Sequence, residues 1–322
     1  MLRIHFTSDD LTRVRLAPAA DPLWETLLSL HALGGDHPGL HIRHWRAAAL
    51  PRLGRGTGIL ARLAPPTGYS VDFLTPPDGC TDLDTGIEAV LATPRQRLRT
   101  DLTELAAQRP LPGWAAMLAA GDPETLRGLG HALRAYYGAA LAPHWDVIGG
   151  SVDADRSRRA GALADGGVER LLATLHPATR WNAPVLEVAY PYERNLHLGG
   201  RGIRLVPSYY CWRMPVTVRE TELTPTLVYP IEHDPGQLPG GRPLSALLGA
   251  RRATVLAALA TPDGRTTSAL ARAIGGSAST ASEHTTVLRD AGLVTSQRDG
   301  KHMLHTLTPL GRAILTRSAT TG

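Results

Sequence analysis

Between Ser277 and Leu288 the chain reads SASTASEHTTVL, and Ser279, Ser282, Glu283, Thr286 and the following Arg289 recur at helical spacing. At about 100° per residue these five share one side of a helix. Short hydroxyls, a carboxylate and a guanidinium are the hydrogen-bonding groups that can meet base edges and phosphates in a DNA major groove; an ordinary solvated face carries a Lys/Glu mixture instead. Ser279, Thr280, Ser282, Glu283 and Thr286 are therefore the candidate base-edge contacts, with Glu283 suited to cytosine N4. The other side, Ala281, His284, Val287, Leu288 and Ala291, is expected to face a core. Ser277 is the expected N-cap, with Thr280 as the alternative through its partner Glu283.

Such a helix needs neighbours to hold it. Upstream, Thr266 can cap a helix over 267–274, whose Leu270, Ala271 and Ile274 form an apolar stripe ending at Gly275 and Gly276. Downstream, Gly292 ends the second helix, and residues 293–297 and 301–307 read as two strands joined around Asp299 and Gly300. Arg298, Lys301 and His302 fall at the tip of that hairpin. Helix, tight turn, helix and basic hairpin make a winged helix, in which Arg289, Arg298 and Lys301 are placed to hold phosphates.

The run from 248 to 315 resembles the DNA-binding domain of ArsR-family winged-helix regulators, most clearly in SALARAIGGSASTASEHTTVLRDAGLV and in the RDGK wing tip. Members of that family commonly place Ser or Thr and His in the recognition helix, as Ser282 and His284 stand here. The metal-sensing members carry a cysteine pair before the turn or a His/Asp set on a long final helix. Residues 265–274 hold no cysteine, and 309–317 hold no His, Asp or Glu. The resemblance implies a homodimeric transcriptional regulator on an inverted-repeat operator, with repression the usual mode. It does not specify the signal.

Charge separates this segment from the rest. Residues 242–322 carry ten Lys and Arg against four Asp and Glu, a net of +6, whereas residues 1–241 carry 24 against 25. Double-stranded DNA is thus the expected partner of the C-terminal segment alone. With 322 residues, 43% hydrophobic and 20% charged, the chain can build more than one core. It has no apolar run of membrane-spanning length and no charged-then-apolar leader at its start, so a cytoplasmic protein without membrane contact is expected. Cys80 and Cys211 stand far apart with no CxxC spacing, which predicts plain thiols rather than a disulfide or zinc site.

Before the winged segment the signals are weaker. Residues 2–6 and 11–16 alternate apolar and polar around Ser8, Asp9 and Asp10, which suits a hairpin or two edge strands. Asp21 is placed to cap a helix over 22–33 with Leu23, Leu27, Leu30 and Leu33 in a stripe; it is a candidate dimer contact as well as a core helix. His37, His41 and His44 have passable metal spacing, with Asp36 the only acidic company and packing the competing role. Residues 69–74 read as a short strand or extended segment, and helices are expected over 82–92, 94–107, 114–119, 123–141 and 160–175. Asp153 and Asp155 with Arg156, Arg158 and Arg159 resemble a metal–phosphate pair, but no phosphate-cradling glycine loop accompanies them, and local pairing at a helix start is favoured.

From Trp181 short β-type runs follow one another, as in a small antiparallel sheet. Their aromatics could be the core of that sheet or line a ligand pocket; Tyr209, Tyr210 and Trp212 would then form the wall, with Arg194 or Arg213 orienting a polar group. The expected architecture is α+β. A large mixed domain spans 1–234, mostly helical to 180 and β-rich from 181, a linker covers 235–243, and the winged helix-turn-helix covers 244–322. The function expected is DNA-binding transcription regulation, with a small-molecule effector bound in the N-terminal domain and no cofactor. An enzyme with a docking winged helix is the competing class, but no GxSxG, HExxH, P-loop or Rossmann fingerprint supports it. A protein-binding winged helix is a third, and the basic wing argues against it.

Overall fold

Capping carboxylates and prolines decide where the helices begin. Asp21, Asp82 and Asp122 each accept a backbone N–H from the turn that follows, and Pro22 and Pro123 occupy first helical positions that need no donor. The computed structural model describes residues 1–35, 40–77, 80–212, 214–218, 225–232, 248–259, 264–299, 302–312 and 314. It divides into two compact units, Met1–His233 and Asp234–Gly322.

The first unit runs β1 (Leu2–His5), α1 (Ser8–Thr12), β2 (Val14–Leu16), α2 (Pro22–Gly34), α3 (Leu40–Ala49), α4 (Thr57–Leu63), α5 (Leu83–Leu91), α6 (Arg95–Gln108), α7 (Trp114–Ala119), α8 (Pro123–Tyr136) and α9 (Trp145–Ala173). Six strands follow: β3 (Thr179–Asn182), β4 (Val185–Val188), β5 (Arg194–His197), β6 (Ile203–Ser208), β7 (Val216–Thr217) and β8 (Thr226–Pro230). One sheet has the order β3-β4-β1-β5 and the other β2-β6-β8-β7, so the fold is α+β.

The two central strands of the second sheet, β6 and β8, are covered on both sides. Ile203 and Leu205 of β6 and Leu227 and Tyr229 of β8 join a core with Leu2, Ile4, Leu186 and Leu172, while Val206 and Val228 point into the helical core of α2 to α9. Two-sided burial suits the parallel pairing of β6 with both β2 and β8.

Buried carboxylates tie the helices to these strands. Glu25 on α2 is fully enclosed and accepts from Ser208 Oγ at 3.0 Å, Tyr209 N at 2.7 Å and Tyr210 N at 3.1 Å. Asp21 caps α2 and also accepts from Arg204 Nη2 at 3.2 Å. Asp155 on α9 accepts from Tyr229 Oη at 2.7 Å and from Arg159 Nη2 at 3.0 Å, both partners buried.

Several expectations give way here. Strands β1 and β2 are not a hairpin, because Thr7 and Asp10 form a capping box and Ser8–Thr12 is a helix. The two strands enter different sheets, β1 beside β4 and β5 and β2 beside β6. The β region is therefore not one antiparallel sheet. Residues 69–74 hold a 3-10 turn at Asp72–Leu74 instead of a strand. Helix α9 starts at Trp145 and is interrupted at Gly166 and Gly167, the latter at φ +68°. Asp153 and Asp155 pair with Arg156, Arg158 and Arg159 inside that helix rather than at its start. Residues Pro22 through Leu30 of α2 are all buried in their own unit, which leaves that stretch of the helix unavailable as a dimer surface.

The aromatic residues are divided rather than gathered. Tyr209 and Tyr210 are 2% exposed in the helical core, where Trp45 lies 4.6 Å from the Tyr210 ring, whereas Tyr229 belongs to the other core and Trp181 packs against that core through Phe6. Trp212 is half-buried, and Arg194 donates to Val218 O. Arg213, His37 and the 235–243 linker lie outside the described residues, as do the side chains of His41 and His44 on α3. Among the described residues no three His, Cys, Asp or Glu side chains are grouped to hold a metal, and no helix is long and apolar enough to cross a membrane. Cys80 and Cys211 are free; burial and the nearby Asp21 push the Cys80 thiol up to about 12, and burial raises Cys211 as well.

Burial raises the Glu25 carboxyl from 4.5 to about 7, against the lowering effect of its three donors. The folded chain thus holds this proton more tightly than the unfolded one, and the contribution is complete below pH 4.5 and lost as pH rises through 7. A glutamine at this position keeps one oxygen and turns an amide NH2 toward one of two backbone N–H groups. Glu25→Gln should cost about 1–3 kcal/mol and flatten the decline in stability between pH 5 and 7. Thermal unfolding of the full chain across that range checks both, and an unchanged pH slope in the variant would remove Glu25 as its source.

Candidate nucleic-acid interface

In the second unit, Thr266 Oγ1 accepts from Ala269 N and so starts α11, while Ser277 Oγ accepts from Thr280 N at 3.2 Å and starts α12. The described elements are α10 (Ala250–Ala258), β9 (Arg265–Thr266), α11 (Thr267–Ala273), α12 (Ala278–Asp290), β10 (Val294–Asp299) and β11 (His302–Leu307). Gly275 at φ +59° turns the chain between α11 and α12, and Gly292 at φ +72° releases it from α12 into the hairpin. Ser277 is the cap, and Thr280 stands within the first turn with its hydroxyl 3.0 Å from Ser277 Oγ.

A small core sets the orientation of α12. Val255, Leu256 and Leu259 at α10, Leu270 and Ala271 of α11, and Leu293, Val294 and Leu307 of the hairpin enclose Ala281 and Leu288. Thr285 is buried between those two and donates its hydroxyl to Ala281 O. The inward face is thus Ala281, Thr285 and Leu288. It was expected to include Val287 and Ala291, but Val287 is 42% exposed and Ala291 is exposed, while His284 is half-buried.

Helix geometry explains the correction. Measured from Ala281 at about 100° per residue, Leu288 and Thr285 lie within about 40°, whereas Val287 lies about 120° away. Ser282, Thr286, Ser279, Glu283 and Val287 occupy the arc opposite the core, and together they line one open surface depression. Hydrophobicity alone assigns Val287 inward, and its angle on the helix overrides that preference. Thr285, although polar, faces inward by its position between Ala281 and Leu288.

The hairpin pairs antiparallel from Val294 with Leu307 to Asp299 with His302. Arg298 is exposed near its tip; Lys301 lies outside the described residues, as does the side chain of His302. Arg289 is half-exposed at the C-terminal end of α12, beside Asp290, where its charge complements the helix dipole.

One residue that holds the wing to the helices was not foreseen. His305 on β11 is 6% exposed; its Nε2 lies 2.9 Å from Thr267 Oγ1 at the start of α11 and its Nδ1 2.8 Å from Ser296 Oγ on β10. A neutral imidazole offers one donor and one acceptor, and the two hydroxyls take the complementary roles. The signal available was strand parity, since an inward Leu307 puts His305 on the same side.

Helix, tight turn, helix and wing, with a polar helix face turned away from the core, define a DNA-binding helix-turn-helix domain of the kind found in transcription regulators. Residues 251–297, from α10 into the first wing strand, match a family model described as a helix-turn-helix domain. Neither the curated proteins nor the solved structures contain a match to this chain.

Burial, with a smaller contribution from the Arg289 charge, holds the His305 pKa below its ordinary 6.5. The unfolded chain takes up this proton first as pH falls, so the contribution to stability is complete above pH 6.5 and declines below it. His305→Gln has no proton to gain and should unfold with a shallower acid dependence between pH 7 and 5. Equal slopes for both proteins would exclude the imidazole as the origin.

Proposed function

We propose that the chain is a transcriptional repressor of the ArsR type. In this reading it binds an inverted-repeat operator as a homodimer, and residues 244–322 are the reading domain. Residues 1–234 provide the subunit contact and respond to a small-molecule effector; no catalysis is assigned to the chain. The observation that carries the reading is the face of α12 opposite the core. There Ser279, Ser282, Glu283 and Thr286 stand together on an open surface, with Arg289 and Arg298 exposed for phosphates. Ser277 and Thr280 hold the N-terminal turn of the same helix, the end from which such helices reach base edges. The excess of positive charge in residues 242–322 supports a polyanionic partner for this unit.

The test is anisotropy of a labelled duplex from the DNA upstream of the gene, titrated with the full chain at two salt concentrations and against random competitor. Tight binding that weakens steeply with salt and resists competitor is the expected result. Salt-independent binding, or none at any sequence, would transfer the domain to protein docking. Arg298→Ala should weaken every sequence alike and reduce the log–log salt slope by about 0.9, the share of one phosphate contact. A loss confined to one sequence would overturn the phosphate assignment for Arg298.

A further inference from the structure

Val287 is the single apolar side chain among the residues lining the depression on α12, and at 42% exposed it belongs to no core. Its companions Ser279, Ser282, Glu283 and Thr286 are short polar groups, so a surface that accepts all five must offer hydrogen-bonding edges with one apolar projection among them. The major groove has that composition. Every base pair presents donors and acceptors there, and thymine alone adds a methyl group. Glu283 and Val287 are one turn apart, about 6 Å along the helix axis, against a base step of about 3.4 Å. A helix lying along the groove therefore brings the two side chains to bases one to two steps apart.

We infer that Val287 is a specificity-determining residue that contacts the 5-methyl group of a thymine in the bound duplex, within one to two base steps of the base met by Glu283. The inference rests on the DNA-reading function proposed above and adds to it a base identity that hydrogen bonding does not supply. It also accounts for a valine on a face that is otherwise polar and that the folded chain leaves uncovered.

The experiment begins with selection of duplexes from a random library by the full-length chain. Each thymine of the selected site is then replaced singly by deoxyuridine, which removes the methyl and keeps every hydrogen-bonding group. Anisotropy with wild type should show one thymine whose replacement weakens binding roughly fourfold, the share of one buried methyl. Val287→Ala, and Val287→Ser as a second variant, should bind the thymine and deoxyuridine duplexes equally, with unfolding curves showing that each variant is folded. If a consensus emerges but no thymine is sensitive, or the same penalty persists in both variants, the inference is overturned and the DNA-reading function stands. If no sequence is enriched, base reading by α12 fails and the inference fails with it.

Discussion

In the larger unit the packing turns on a carboxylate that cannot reach water. Glu25 is enclosed on α2, and its two oxygens accept from the Ser208 hydroxyl and from the N–H groups of Tyr209 and Tyr210, where the chain leaves β6. An enclosed carboxylate without donors would be strongly destabilising, so the end of β6 is held where it can supply them. Asp21 repeats the logic one turn earlier with Arg204, and Asp10 accepts from Gly202 N at 2.8 Å. Each joins the first 25 residues to the segment around 200–210. That is how β1 and β2, at the start of the chain, come to lie in sheets otherwise built from residues 179–230.

These ties also set the orientation of the parallel strands. With β6 and β8 covered on both faces, alternate residues serve separate cores, and a slip of one position would exchange Val206 with Leu205 and Val228 with Tyr229. The Tyr229 hydroxyl would then lose Asp155, its buried partner on α9. Polar and apolar burial therefore specify one register together.

The smaller unit uses the same device in a neutral form. His305 joins the wing to the start of α11 through two hydroxyls, while Leu288, Leu293 and Leu307 close the core beneath it. Because that core grips α12 along Ala281, Thr285 and Leu288, the residues presented outward are determined by what is held inward. The outward face is the remainder of the helix.

Local chemistry was legible directly. Asp21, Thr266 and Ser277 cap helices as their side chains allow, Gly275 and Gly292 adopt the positive φ that ends a helix, and the wing strands pair around residue 300. The positive charge of the last 81 residues can likewise be counted from composition. Each depends on a few neighbouring residues, which is why the amino-acid sequence alone determined it. Contacts between residues distant in sequence were decided only by the tertiary structure. They send β1 and β2 to different sheets, divide the aromatics between two cores, enclose Glu25 and His305, and turn Val287 outward while Thr285 turns in. Hydrophobicity ranks a side chain's preference for burial, but the direction it faces is decided by the partners that pack around its helix or strand.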